Sequence, residues 1–396
     1  MAGAASEVFT SGVFHYTRMV TVFEEEEMST VYIHVGTPKT GTSAIQFFCS
    51  KNRKVLKEKG ICYPNLGFQF PGIGVNRNGH FMNRREKDEN NKRMHEAEEK
   101  IVEKGMEKIQ TLLETYSTII LSDEQFWNNK EMTTEKWAMY KERFAGMGAD
   151  LKLIVYLRRQ DLLIQSYWAQ QVKETMTMSF KQYIDSGKYK YFKLDYYARL
   201  EEMAKAVGKE NIIVRVYEKQ QYYGGEIISD FLHLFDLELT DEYAQADHVV
   251  NASLEGSCLE VKRLLNNSPV YKSKKNFLVP LLTQVQQEKV GSTGYDKGKY
   301  FSKKDQMAFM GLFEEGNAAV AREYLNREDG VLFRDEVITA GEDEEATQYS
   351  SKELVLILGE VIAKQQEIIE EKEGKLKELK KPVKGIKQLV KKALNK

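Results

Sequence analysis

The sequence predicts an α/β fold, a parallel sheet covered by helices on both faces. Three observations carry that expectation. Strand-like runs alternate with helical patterns from residue 31 to residue 235. The runs "TIIL", "LIVYL" and "IIVRV" are almost continuously apolar and β-branched, as strands buried on both faces require. The first run, "VYIHV" (31–35), passes through a glycine turn straight into apolar residues at helical spacing.

Taken in order, the helical spacing after that turn covers Ser43 to Glu58, and "GICYP" (60–64) is a short second strand. Residues 65–93, rich in Asn, Gly and Arg, form a long loop of the kind that serves function in a compact domain. A charged helix spans Lys92 to Tyr116 and leads into "STIILSDE" (117–124). A helix over Thr134–Met147 precedes "LKLIVYLRR" (151–159), and another follows from Gln160 to Glu174. Helices over 195–207 and 226–235 flank "NIIVRVYE" (211–218). Ligands of parallel sheets sit outside the carboxyl ends of the strands. That rule gathers Gly36–Ser43, Ser122–Glu124, Arg158–Arg159 and Tyr217–Glu218 around one cleft.

Beyond residue 250 the pattern is mostly helical, with a Lys- and Gln-rich stretch from Tyr271 to Lys299. Three segments are expected: a loosely ordered 1–27, a main domain over 28–340, and an extension over 341–396. Met28, just before the first strand, is expected to be the functional start. In the extension, Leu354, Val361 and Ile368 recur every seven residues with Leu358 between them. They predict a short coiled coil, with self-association through 353–376, or a helix packed on its own chain.

Hydrophobic residues at 42% and aromatics at 11% suffice for a buried core, which excludes disorder for most of the chain. Lys+Arg 58 against Asp+Glu 59 gives no overall charge bias, and no nucleic-acid partner is expected. Three cysteines and the absence of a long apolar run point to a cytoplasmic protein. The histidines are scattered and no C-x-x-C occurs, so no metal is expected.

"HVGTPKTGTS" (34–43) has the layout of a P-loop-like phosphate cradle. Backbone N–H groups at a helix N-terminus suit an anion by geometry and dipole. Thr40, Thr42 and Ser43 add hydroxyls, and Gly41 permits close approach. Lys39, however, stands two residues earlier than the lysine of a nucleoside-triphosphate loop.

That arrangement resembles the 5′-phosphosulfate loop of sulfotransferases that use 3′-phosphoadenosine 5′-phosphosulfate (PAPS). The resemblance implies that Lys39 serves the bridge between phosphate and sulfate. "YLRRQDLLIQSYW" (156–168) resembles the same family's 3′-phosphate motif, with Arg158 at a strand end and Ser166 eight residues on. A guanidinium and a hydroxyl there would clamp a phosphate. Arg159 and Gln160 replace the family's more usual aspartate and proline, as in its bacterial carbohydrate-sulfotransferase-like branch. The segments 215–237 and 313–325 resemble that branch too, and the likeness covers about 28–335. It implies PAPS as donor, a carbohydrate hydroxyl as acceptor, and a ligand set of Lys39, Thr40, Gly41, Thr42, Ser43, Arg158 and Ser166.

Sulfuryl transfer to a hydroxyl needs a proton acceptor. Glu124, beside Asp123 at a strand end, is the first candidate and His80 in the loop the second. Either could instead be structural, Glu124 in a helix-capping pair and His80 as a polar loop residue. Phe68, Phe70, Arg77, Arg84 and Arg85 offer stacking and hydrogen bonds to a sugar acid. The rival is a P-loop kinase or nucleoside-triphosphatase, whose metal-binding acids "TIILSDE" would mimic. A non-catalytic nucleotide- or glycan-binding relative is the other alternative. Finally, 375–396 carries nine lysines and one glutamate, and its apolar residues share one helical face. Peripheral contact with an anionic inner membrane face through 382–396 is therefore expected, the alternative being a solvated tail.

Overall fold

A computed structural model describes residues 28–244, 254–272, 275–289, 298–335 and 345–379. The N-terminal segment 1–27 and the basic stretch 382–396 lie outside the described residues.

In chain order the elements begin with β1 (Ser29–Gly36), α1 (Thr42–Lys51), α2 (Arg53–Glu58), β2 (Ile61–Cys62) and α3 (His95–Leu113). Then come β3 (Thr118–Ser122), α4 (Gln125–Asn128), α5 (Thr134–Ala145), β4 (Ala149–Leu157) and α6 (Gln160–Glu174). Next are α7 (Phe180–Asp185), α8 (Tyr196–Val207), β5 (Ile212–Val216) and α9 (Ile227–His233). The rest is helical: α10 (Gly256–Leu265), α11 (Pro269–Lys272), α12 (Lys275–Lys289), α13 (Lys303–Gly311), α14 (Glu314–Leu325) and α15 (Ser351–Leu379).

The five strands form a parallel sheet in the order β2-β3-β1-β4-β5. Side chains alternate between its faces. Val31, Ile33 and Val35 of β1 meet α3, α5, α8 and α14 on one side. Ile120, Ile154 and Tyr156 meet α1 and α9 on the other. Burial on both faces explains why these strands read as unbroken apolar runs. The second strand keeps only two residues, for Pro64 has no N–H to extend the ladder.

A separate apolar cluster joins α6, α7, α10, α12 and α13 to α15. Ile357 and Val361 are buried there, flanked by Leu354, Leu358 and Ile368. At these residues the stripe packs against its own chain. Among the described residues no helix is long and apolar enough to cross a membrane.

Two departures from the resembled motif have structural work. Arg159 is buried and holds Asp161 through two N–H···O bonds of 2.8 and 3.1 Å, while a third goes to the Asp335 carbonyl. Gln160 exchanges amide hydrogen bonds with Asn317 of α14 at 2.7 and 3.2 Å. Together they tie the end of β4 to the C-terminal helices.

Candidate active site

The cradle follows from β1 ending in a turn that only glycine tolerates at two points. Gly36 has φ +102°, and a Cβ there would come within 3.2 Å of the Glu124 backbone. Gly41 has φ +70° and caps α1, and its Cβ would lie 2.6 Å from Ile227 Cδ1. Thr37 donates its N–H (2.9 Å) and hydroxyl (3.1 Å) to the Tyr156 carbonyl, which pins the loop to β4. The N–H groups of Lys39 to Ser43 donate to no acceptor among the described residues. They form the open end of α1, where an anion is favoured.

Thr40 corrects one expectation. Its hydroxyl donates to the Thr37 carbonyl and is fully buried, so it closes the loop and contributes at most its backbone N–H to a ligand. Thr42 is buried and Ser43 exposed at the mouth of the cradle.

The second anion motif meets the first. Arg158, leaving β4, donates through one guanidinium nitrogen to the Lys39 carbonyl at 2.9 Å. Its guanidinium lies 5.5 Å from the Tyr217 ring centroid, and its own carbonyl accepts from the Tyr196 hydroxyl at 2.6 Å. Burial lowers the pKa of Arg158. It lowers that of Lys39 as well, helped by the charges of Lys173 and Arg158 and opposed by Glu124. Ser166 is half-buried on α6, and no hydrogen bond joins it to Arg158.

Beside the cradle, at the end of the neighbouring strand β3, stands an acid cluster. Asp123 is fully buried and accepts from Arg77, from the Gln125 N–H (2.9 Å) and from His80 Nδ1 (2.6 Å). Asp123 thus caps the α4 turn, the structural role foreseen for the acid pair, and leaves Glu124 to the cleft. Glu124 accepts from Gln46 Nε2 at 3.1 Å and pairs with Arg77 at 3.4 Å. With Nδ1–H given to Asp123, the tautomer this pairing assigns to His80 turns a bare Nε2 lone pair outward.

The long loop is anchored to β3 by Asn78. Its Oδ1 accepts from the Ser122 N–H (2.8 Å) and its Nδ2 donates to the Ile120 carbonyl (3.0 Å). Gly79 then abuts Ser122 so closely that a Cβ would lie 3.2 Å from its backbone. His80 begins a 3-10 turn, His80–Asn83, right at the strand end.

A cleft of about 690 Å³ opens beside Pro38, His80 and Glu124. Arg84, Arg85 and Lys130 supply its cations, and Tyr167, Tyr191 and Phe192 its aromatic side. Three loop residues expected to face a sugar do otherwise. Phe68 and Phe70 are partly buried, Phe68 stacked on Phe81 (5.6 Å) and Phe70 edge-on to His80 (5.2 Å). Arg77 is bound to Asp123 and Glu124. Arg84 and Arg85 line the cleft, Arg84 paired with Glu86 at 2.6 Å and Arg85 with Glu131 at 3.2 Å.

Sequence reasoning missed Gln46 and Asn78, whose parts depend on tertiary packing, and it gave Arg77 a ligand where the structure gives it Asp123 and Glu124.

Beneath the site, His34 is buried with Nδ1 3.0 Å from Ser122 Oγ and Nε2 without a partner. Burial pushes its pKa down to about 4. The unfolded chain takes up this proton near pH 6.5 and the folded one only near 4, so acidification through that window favours unfolding. The loss expected between pH 7 and pH 4 is about 3 kcal/mol. Urea unfolding across that range should show a shallower pH dependence for His34→Gln than for the native chain. Equal slopes would contradict the assignment.

Comparison with known proteins adds little. No family model matches the chain. An uncharacterized protein of Archaeoglobus fulgidus is 31% identical over 192 residues, 47% of this chain. The chain spans 49% of that relative's length. The crystal structure of a sulfotransferase from Alicyclobacillus acidocaldarius is similar over 64% of this chain and 95% of its own. Identity there is 13% and the TM-score 0.34, a likeness too slight to weigh beside the residues themselves.

Proposed function

We propose that this protein is a sulfotransferase that moves a sulfuryl group from PAPS to a hydroxyl of a carbohydrate acceptor. The observation that carries the reading is the Arg158–Lys39 hydrogen bond, which sets two anion-binding motifs side by side at the carboxyl ends of β1 and β4. A ligand with phosphates at both its 3′ and 5′ positions matches two such motifs.

On this reading the open N–H groups of residues 39–43 and the Lys39 ammonium hold the 5′ end, and Arg158 with Ser166 holds the 3′-phosphate. The acceptor oxygen attacks sulfur as the bond from sulfur to the phosphate oxygen breaks. Lys39 offsets charge growing on that departing oxygen. His80, oriented by Asp123, takes the acceptor proton at Nε2. This reading takes His80 ahead of Glu124 for the role, supported by the donors that both Glu124 oxygens face. Exposed Tyr191 and the cations Arg85 and Lys130 suit a sugar ring carrying acid groups.

The kinase or nucleoside-triphosphatase alternative needs an acid at the end of β3 for its metal. Asp123 is instead enclosed by Arg77, His80 and the α4 turn.

Arg158→Ala tests the proposal. It should weaken 3′-phosphoadenosine 5′-phosphate by about ten- to a hundredfold, the worth of a hydrogen bond to a charged group. Adenosine 5′-phosphosulfate, which lacks the 3′-phosphate, should lose much less. Equal weakening of both in calorimetry would place Arg158 elsewhere.

A further inference from the structure

We propose that a second cavity, bounded by α3 and α5, is an acceptor subsite for an uncharged sugar. A neighbouring sugar of the same chain receives the sulfuryl group beside His80. The inference rests on the sulfotransferase reading, and it makes the acceptor a glycan chain rather than a single sugar.

The second cavity has a volume of about 320 Å³, within the range of small-ligand pockets. Asn83, Arg84 and Asn129 line it, and they also line the cleft beside His80 and Glu124. The two spaces therefore lie side by side, with those three side chains as their common border. Asn129 donates to the Asn83 side chain and accepts from Arg85 at 3.0 Å, while Arg84 is held by Glu86. These bonds fix the border before any ligand arrives.

The lining suits a sugar. Met82, Val102, Met132 and Met139 form its apolar part, with Met82 and Met132 buried. Methionine adapts to irregular apolar surfaces, and a sugar ring presents C–H groups on its faces. Most of the charges around that lining are spent on one another. Arg93 bridges Glu98 at 2.8 Å and Glu131 at 2.6 Å, and Arg143 pairs with Glu103 at 2.8 Å. Lys136 and Glu99 remain. The half-buried Lys136 ammonium has Met139 Sδ at 3.9 Å and the Tyr140 ring at 5.2 Å. No carboxylate pairs with it among the described residues, and no cation there pairs with Glu99. One spare cationic donor and one spare carboxylate leave no net charge for a ligand to balance. They match hydroxyl groups, which accept from the first and donate to the second.

The test uses the full chain with PAPS and reads release of 3′-phosphoadenosine 5′-phosphate. Oligosaccharides from a mixed glycan digest are compared with the monosaccharides from its complete hydrolysis. KM for the oligosaccharides, per sugar residue, should be about tenfold lower or better, the worth of a hydrogen bond to a charged group. Lys136→Met removes the donor, and Glu99→Trp fills the cavity from an exposed helix position. In both, the oligosaccharide advantage should shrink to about twofold or less. Affinity for 3′-phosphoadenosine 5′-phosphate should hold, which separates the effect from misfolding. Monosaccharides accepted as well as oligosaccharides by the native protein overturn the inference, as does an advantage that survives both variants. Native protein that transfers to no glycan would instead sink the sulfotransferase reading. Binding of the same oligosaccharides, fluorescently labelled, then decides the subsite. Retention by the native chain and loss in Glu99→Trp uphold it, and equal retention or none overturns it.

Discussion

Lys39→Ala is expected to slow sulfuryl transfer by about a hundred- to a thousandfold, or about 3–4 kcal/mol of transition-state stabilisation. The ammonium pairs with no carboxylate among the described residues, so the melting temperature should hold or rise slightly as burial of an unpaired charge is relieved. The same geometry sets a pH dependence. Burial, Lys173 and Arg158 together lower the Lys39 pKa, and only its protonated form attracts an anion. Affinity for PAPS should therefore decline with rising pH sooner than for an ordinary lysine, and this alkaline limb should vanish in Lys39→Ala. Release of 3′-phosphoadenosine 5′-phosphate in the presence of mixed glycan acceptors measures the rate. A rate within a few-fold of the native protein would contradict the assignment.

His80→Ala is expected to cost about a hundred- to ten-thousandfold in transfer, the usual worth of a positioned general base. PAPS affinity should be nearly unchanged, since the partner of the His80 imidazole is Asp123 and not a residue of the cradle. Asp123→Asn should lose part of the same rate by releasing the imidazole. Glu124→Gln should lose less, because Gln46 and Arg77 already engage its oxygens. A larger loss in Glu124→Gln than in His80→Ala would return the base to Glu124.

How much of this was legible beforehand depended on whether chemistry or packing decides. The strands were legible because a parallel sheet buried on both faces demands continuous apolar runs, which strict apolar–polar alternation cannot supply. Leu151, Leu153, Ile154 and Val155 of β4 are all buried. The cradle was legible because its backbone needs glycine at positions 36 and 41. The long loop was not. Asn78 replaces a strand's hydrogen bonds with its amide, and no pattern marks an asparagine for that use. Arg77 and Thr40 carry the polar atoms of ligand-binding residues, but tertiary contacts bind those atoms within the protein. The heptad in α15 was ambiguous for a different reason: Leu354, Val361 and Ile368 would show the same spacing against a partner or against α10 and α12.

The central claim is that the two joined anion motifs recognise a nucleotide phosphorylated at both 3′ and 5′ positions. Calorimetric titration of the native full-length chain with 3′-phosphoadenosine 5′-phosphate, adenosine 5′-phosphosulfate and ATP with Mg²⁺ tests it most directly. The account predicts one site per chain, tightest for 3′-phosphoadenosine 5′-phosphate. Preference for ATP with Mg²⁺, or no binding of 3′-phosphoadenosine 5′-phosphate by folded protein, would contradict it.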